Sequence, residues 1–369
     1  MKPEKMTKTK LRVLLSLLMM SACLFVACDD DDSDLDPIRK PTPTTNKAAL
    51  ITDEAKLEMI YSLSDLEIDK GRIYEMNYTA DYKLDVALQY DIDGAESLTE
   101  FVKKELLDVS LGSKAALSYD AGCSAFACPD KQGKEFLMGR NFDFKDEGQS
   151  IVIVRTEPDD GYKSISTSTF AFLGYNADWH PVAGMDGFLA LATIYIPLDG
   201  MNEKGVCVAD LIELDGKTEP FDTPKPDLTI VGAIRLILDY AASVDEAVEL
   251  LEQYDIHPSI GSAHHLSIAD GKRSVAVEWD CGQIHVTETP SVTNHCLWES
   301  RQNEMTAESH RRMEAIKNLV PANRQESLDA MRMVSYKDET IWTVLFDRNA
   351  MDATWYVRSD WDNPLTFPL

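Results

Sequence analysis

The apolar and polar positions of this chain alternate in short runs, and their period changes along its length. Residues 52–63 place Ala55, Leu57, Met59, Ile60 and Leu63 at helical spacing, which predicts a short amphipathic helix. Residues 74–82 read as a strand. Residues 97–107 read as a helix opened by Ser97, with Glu100 three positions on as a reciprocal cap. Beyond these, Ile151 to Thr156 (Ile-Val-Ile-Val-Arg-Thr) is a strand, and 188–197 is a second apolar run that leads into a turn at 199–205 and a strand at 206–211. A helix with a nearly continuous apolar face is expected at 229–241. Ser243, with Glu246 three later, caps the next one. The pattern then returns to strands at 266–269 and 273–279, around an Asp270-Gly271 turn, and at 283–289. A helix at 308–319 and a hairpin of 340–346 with 353–358 close the chain. Strands, helices, strands, helix and strands, joined mostly as hairpins, predict an α+β domain of two antiparallel sheets covered by helices.

The first fifty residues follow another logic. Lys2, Lys5, Lys8, Lys10 and Arg12 precede an apolar run ending at Ala27, too short and poorly flanked for a membrane span and suited to a signal sequence. Leu24-Phe25-Val26-Ala27-Cys28 resembles a bacterial lipoprotein lipobox, which implies cleavage after residue 27 and lipidation of Cys28. Cys23 is a rival anchor, and an ordinary cleaved signal peptide is the plainer alternative. The acidic run Asp29 to Asp32 looks like an export signal of surface lipoproteins, so the expected location is the bacterial cell envelope, lipid-anchored at the outer membrane. Residues 28–48, with Pro37, Pro41 and Pro43 and no apolar period, read as a tether. The expected organisation is therefore a signal peptide (1–27), this tether, an N-terminal segment (49–122) and a catalytic domain (123–369).

Composition narrows the classes. Hydrophobic residues make up 44% and charged residues 27% of the 369, as in a soluble globular enzyme. The formal net charge of −27 repels phosphate backbones, so nucleic acid is not an expected partner. Cys207, Cys281 and Cys296 show no CxxC pairing, and His264-His265 has no third ligand at metal spacing, so neither a metal nor any other cofactor is expected.

The stretch richest in chemistry is Gly122-Cys123-Ser124 followed by Gly139-Arg140-Asn141-Phe142-Asp143. Between them lies a turn-rich segment that reads as a hairpin connection. Paired strands would bring a thiol, a guanidinium and a carboxylate to one sheet edge, and a nearby cation favours the thiolate. No Cys/His/Asp set is visible in motif form. Cys128 is expected to face the sheet interior, and Tyr175 and Trp179 either line an acyl pocket or pack as ordinary aromatics.

Five motifs in order resemble the landmarks of the linear amide C–N hydrolases. They are Gly122-Cys123-Ser124, Gly139 to Asp143, Met201-Asn202-Glu203-Lys204-Gly205, Asp270 to Ser274 and Thr293-Asn294. That family includes choloylglycine hydrolases, penicillin V acylases and the acid ceramidase branch. The resemblance, over residues 50–369, implies a four-layer αββα sandwich of the N-terminal-nucleophile type. It implies cleavage between Gly122 and Cys123, with Cys123 as nucleophile and its freed α-amine doing the work of a histidine. Arg140 would sit beside the sulfur, and Asp143 would hold the α-amino group. Asn294 would serve the oxyanion or the substrate carbonyl, and Asn202 is a further substrate or oxyanion candidate. Ser309-His310-Arg311-Arg312-Met313 resembles the last landmark and points to Arg312, or to Arg311 if the register slips. The implied partner is a small amide with an apolar acyl group: an N-acyl amine, an N-acyl amino acid or a conjugated bile acid. Bile salt hydrolases carry an oxyanion-site Asn where this chain reads Asp210-Leu211-Ile212-Glu213, which weakens the bile-acid option. An acyltransferase, or an inactive surface binding module on the same fold, are the alternatives.

Overall fold

The computed structural model describes residues 58–59, 61–69, 72–107, 121–129, 136–145, 148–175, 178–181, 186–216, 221–258, 262–299, 304–319, 321–336 and 339–369. The signal sequence, Cys23, Cys28, the tether and the first half of the helix expected at 52–63 lie outside the described residues. So does the connection at 130–135.

Described strands and helices run in chain order. Before the cysteine come β1 (Ser64–Asp65), β2 (Ile73–Tyr78), α1 (Leu84–Ala87) and α2 (Ala95–Phe101), which continues as a π-helical turn, Val102–Leu107. The strands β3 (Ala121–Pro129), β4 (Phe136–Phe144), β5 (Ile151–Thr156), β6 (Ser164–Thr169), β7 (Asp199–Asn202), β8 (Cys207–Ile212) and β9 (Asp227–Thr229) follow. Helices α3 (Ile230–Tyr240) and α4 (Val244–Leu251) lead to β10 (Asp255–His257), β11 (His264–Ala269), β12 (Ser274–Asp280), β13 (Gln283–Glu288) and β14 (Ser291–Thr293). Helices α5 (Ala307–Leu319) and α6 (Arg324–Val334) precede β15 (Thr340–Asp347), β16 (Asp352–Val357) and β17 (Leu365–Pro368).

The strands form a nine-stranded sheet, ordered β1-β2-β5-β6-β7-β8-β11-β12-β13, a six-stranded sheet, ordered β14-β3-β4-β15-β16-β17, and a small parallel pair, β9 with β10. Helices α3 and α4 pack on the first sheet and α5 and α6 on the second, which gives the αββα layering expected. The alternation of β4 explains the arrangement. Met138, Phe142 and Phe144 join the main core, while Phe126 on β3 and Leu345 on β15 pack with Ile316, Leu328 and Met331 of the helices. Among the bonds that join the sheets across the core are those from Trp342 Nε1 to Asp199 Oδ2 and from Trp355 Nε1 to Thr167 Oγ1, both 2.8 Å. No helix among the described residues is long and apolar enough to cross a membrane.

Three local expectations change. Ser97 is not the cap of α2: Gly94 is, and Ser97 sits at the third helical position, where its Oγ accepts from the Gly94 N–H. Residues 199–202, read as part of a turn, form strand β7. Only the following residues turn, with Gly205 at φ 77°, a backbone conformation that favours glycine. The larger sheet is also not wholly antiparallel, because β2 pairs in parallel with β5. These two strands are separated by the whole β3–β4 pair, so no hairpin constrains their direction.

That parallel strand builds the segment before the cysteine into the core. Tyr74, Met76, Tyr78, Tyr82 and Phe101 are buried, the Tyr82 hydroxyl donates to Asp239 of α3, and the Tyr195 hydroxyl donates to the Tyr82 carbonyl.

Candidate active site

Cys123 lies on β3 directly opposite Phe142 of β4, with Gly122 opposite Asp143 and Ala125 opposite Arg140. Pairs that face each other across a sheet share a side of it, so the thiol and Arg140 turn into the layer between the sheets. Asp143, one residue out of phase with Arg140, turns towards α5. One pleat of β4 therefore serves both ends of a single residue.

Arg140 is fully buried. Its Nη2 lies 3.9 Å from Cys123 Sγ and donates to the Asp210 carbonyl at 3.0 Å, while its Nε is 3.3 Å from Asp199 Oδ2. The guanidinium stacks over Phe142, 4.5 Å from the ring centre, and faces Trp342 at 5.3 Å. Burial pushes the Cys123 thiol up to about 11. Arg140 opposes this, Asp143 and Asp210 add to it, and the Asp143 main-chain N–H, bonded to the sulfur, counters it in part. The thiol is therefore protonated at neutral pH.

On the other side, the Cys123 N–H donates to Asn294 Oδ1 at 2.5 Å, and Arg312 Nη1 donates to the Cys123 carbonyl at 2.8 Å. Arg312 Nη2 donates to the same Asn294 oxygen at 2.7 Å, and its Nη1 is 3.4 Å from Asp143 Oδ2. Thr340 Oγ1 donates to Asp143 Oδ1 at 2.5 Å, and Asn294 Nδ2 donates to the Ile212 carbonyl at 2.8 Å. Burial raises the Asp143 carboxyl to about 6 against the opposing pull of Arg312, Thr340 and Arg140. Arg312 projects from α5 and is buried. Its neighbour Arg311 is exposed and pairs with Glu308 on the helix surface.

The structure thus gathers Cys123, Arg140, Asp143, Asn294 and Arg312 from β3, β4, the residue after β14, and α5. It does not bring Asn202 to them. That side chain donates to the Leu238 and Ala241 carbonyls, at 3.1 and 2.8 Å, and accepts from the Lys204 and Val206 N–H groups, so it closes the turn after β7 and ties it to the end of α3. Three participants carry no sequence signal of their own. Asp199 pairs with Arg140, Thr340 holds Asp143, and Tyr336 lies under the Arg312 guanidinium at 4.9 Å. Asp199 sits in an Asp-Gly pair that reads as a turn, and its role exists only once the two sheets face each other.

An aromatic wall begins at the thiol. Phe142 neighbours Phe144, 5.8 Å away and nearly parallel, and both approach Phe172 at 6.5 and 6.2 Å. Beyond it Trp179 stacks on Tyr175 at 3.9 Å and meets Phe170 edge-on.

Residues 129–360, more than half of the chain, match the family described as acyl-coenzyme A:6-aminopenicillanic acid acyl-transferase. The chain belongs to this family. The match to this acyl-transferase family begins six residues after Cys123, so the cysteine's place in the site rests on the geometry above. A mutant of the conjugated bile acid hydrolase from Clostridium perfringens shares the fold, at 16% identity over 67% of this chain and 92% of that one, with a TM-score of 0.50. Penicillin V acylase from Agrobacterium tumefaciens aligns at 18% identity over 66% and 85%, with a TM-score of 0.45. No curated protein sequence matches the chain. The family match gives the chain's relationship, and the bile acid hydrolase structure gives its fold.

Proposed function

We propose that this chain is a cysteine N-terminal-nucleophile amidohydrolase that cleaves a linear, non-peptide amide through an acyl-enzyme on Cys123, after the Gly122–Cys123 bond is cut. The observation that carries the reading is the convergence of separate groups on three atoms of one residue: Arg140 on its sulfur, Asn294 on its nitrogen and Arg312 on its carbonyl oxygen.

The uncut chain has a buried, protonated thiol and, among the described residues, no histidine bonded to it. In the first step the thiol sulfur attacks the Gly122 carbonyl carbon. Its proton passes to the departing Cys123 nitrogen, and a thioester forms that water hydrolyses to a Gly122 carboxylate. Glycine suits position 122 because a Cβ there would lie 2.9 Å from Tyr336 Cε2, the ring that underlies Arg312. The freed α-amine, with an intrinsic pKa of about 7.7–8.0, can take the thiol proton on the next turnover. Asn294 Oδ1, already the acceptor for that nitrogen, keeps the amine aimed, and Arg140 stabilises the thiolate. The thiolate attacks the substrate carbonyl, the amine leaving group departs with the proton, and water releases the acid from the thioester. The aromatic wall from Phe142 to Phe172 favours an apolar acyl group: a fatty acyl amine, an N-acyl amino acid or a conjugated bile acid. An amine in place of water would make the same intermediate an acyl-transfer donor. The lipid anchor at Cys28 belongs to the same proposal and would hold the enzyme at the cell envelope.

The test is a panel of N-acyl amides incubated with the purified protein and with Cys123→Ala, each followed by intact mass. A chain beginning at Cys123 and acid release by wild type alone are expected. A protein that stays uncut and hydrolyses nothing, or a Cys123→Ala variant that remains active, would refute the reading.

A further inference from the structure

Behind the Asn294 side of the site lies a second buried cluster that the mechanism does not use. Glu213 follows the last residue of β8, His265 is on β11 and Glu278 on β12; all three are buried. His265 Nδ1 is 3.3 Å from Glu278 Oε1 and 3.7 Å from Glu213 Oε1, and one ligand atom from each residue lies within 4.8 Å of the other two. A tetrahedral ion with bonds of about 2.1 Å needs ligand atoms about 3.4 Å apart, and the two measured edges bracket that spacing.

The charge balance points the same way. Both carboxylates face one imidazole and pair with no lysine or arginine among the described residues. The neighbouring His264 is committed to Asp210 at 2.8 Å. A second carboxylate buried beside one imidazole is costly unless a proton or a cation accompanies it. Among the described residues the His265 ring has no other polar contact: its Nε2 is buried without a hydrogen-bond partner. Glu278 is fixed by the Leu297 and Trp298 N–H groups at 2.6 and 2.9 Å, the outer support that orients a ligating carboxylate. One imidazole nitrogen and two carboxylate oxygens suit a borderline divalent ion such as zinc.

We propose that Glu213, His265 and Glu278 bind one divalent transition-metal ion, which braces the loop carrying Asn294. The connection is short. Asn294 bonds the Ile212 carbonyl beside Glu213, the Leu214 N–H donates to the Asn294 carbonyl at 3.1 Å, and the Cys296 N–H donates to Asp215 Oδ1 at 2.9 Å. An ion there would pin residues 212–215 to residues 294–298, a structural role remote from bond-breaking.

The experiment passes the purified full-length protein through a chelator, dialyses it against zinc chloride and measures bound metal by mass spectrometry. Glu213→Gln, Glu278→Gln and His265→Gln are run beside it. Wild type is expected to retain one equivalent and to melt at a higher temperature with zinc, and each folded variant to bind roughly tenfold or more weakly. Glu278→Gln risks misfolding because it disturbs the Leu297 and Trp298 contacts; among the described residues no main-chain N–H donates to the Glu213 carboxylate, so Glu213→Gln then decides. A wild type that takes up no zinc, or folded variants that take up as much as wild type, would overturn the proposal.

Discussion

Two buried charged clusters lie back to back here, joined through Asn294 and Ile212, and they solve the same electrostatic problem differently. Around Cys123, Asp143 has the Arg312 guanidinium, Asp199 has that of Arg140, and Asp210 has the His264 ring. Around His265, two carboxylates share one imidazole. The first cluster is balanced by the protein's own cations and can keep a thiol, an amide and a carbonyl in fixed geometry without help. The second is not. Burial alone does not single out the proposed reaction centre; what distinguishes the first cluster is that its charges are matched and aimed at one residue's atoms.

The largest expected effect sharpens the aim of the first cluster. Cys123→Ala should lower amide hydrolysis by about 10³-fold or more and stop chain cutting, yet leave the melting temperature close to that of an uncut wild type. Next comes the matching itself. Arg312→Met strands Asp143 as a buried charge and should cost about 3–5 kcal/mol in denaturant unfolding; a loss below about 1 kcal/mol would mean the ion pair is not what balances that cluster.

A smaller effect concerns pH. Asp143 is raised from its ordinary 3.8 to about 6 by burial, so the folded chain holds a proton there that the unfolded chain releases. Its contribution to stability is fully present below about 3.8 and is lost as pH rises through about 6, by roughly 1–3 kcal/mol. Urea midpoints across that window should therefore fall more steeply for wild type than for Asp143→Asn. Identical slopes would remove the group from the titration. The smallest effect tests the contrast directly. In chelator-treated protein, Glu213→Gln leaves Glu278 matched to His265 and should change stability by less than about 1 kcal/mol, or increase it. A loss as large as that of Arg312→Met would erase the difference between the clusters.

Much of the architecture was legible wherever burial followed periodicity. Strands β5, β12 and β13 and helices α3 to α5 fall within a residue or two of their expected places, because each carries an apolar face of the right period. Strand β6 was not legible. Its sequence, Ser-Ile-Ser-Thr-Ser-Thr, is mostly polar, yet it is wholly buried. Its hydroxyls find partners inside the fold: Ser168 donates to the Ile196 carbonyl, Thr169 to the Ser150 carbonyl, and Thr167 accepts from Trp355. Helix α6 carries a weak signal although the Asn323 side chain accepts from the Glu326 N–H as its cap, because its apolar stripe of Leu328, Met331 and Val334 is narrow. At the site, Cys123, Arg140 and Asp143 lie close enough in sequence for strand pairing to suggest their meeting. Asn294 and Arg312 are far off in the chain, and only the family resemblance points to them. Asp199, Thr340 and the Glu213–His265–Glu278 group depend on contacts across sheets and distant loops, which local spacing does not encode.

The parallel pairing of β2 with β5 has a consequence for how the protein would age. A cut between Gly122 and Cys123 would leave two polypeptides sharing one sheet, held by the Tyr82–Asp239 bond and by buried rings from both. Before the cut, folding is a property of one chain. After it, recovery from unfolding requires two separate molecules to meet, so it slows with dilution and competes with aggregation. The nicked enzyme would then persist because it opens slowly, and a chain once lost would be replaced by synthesis more readily than by refolding.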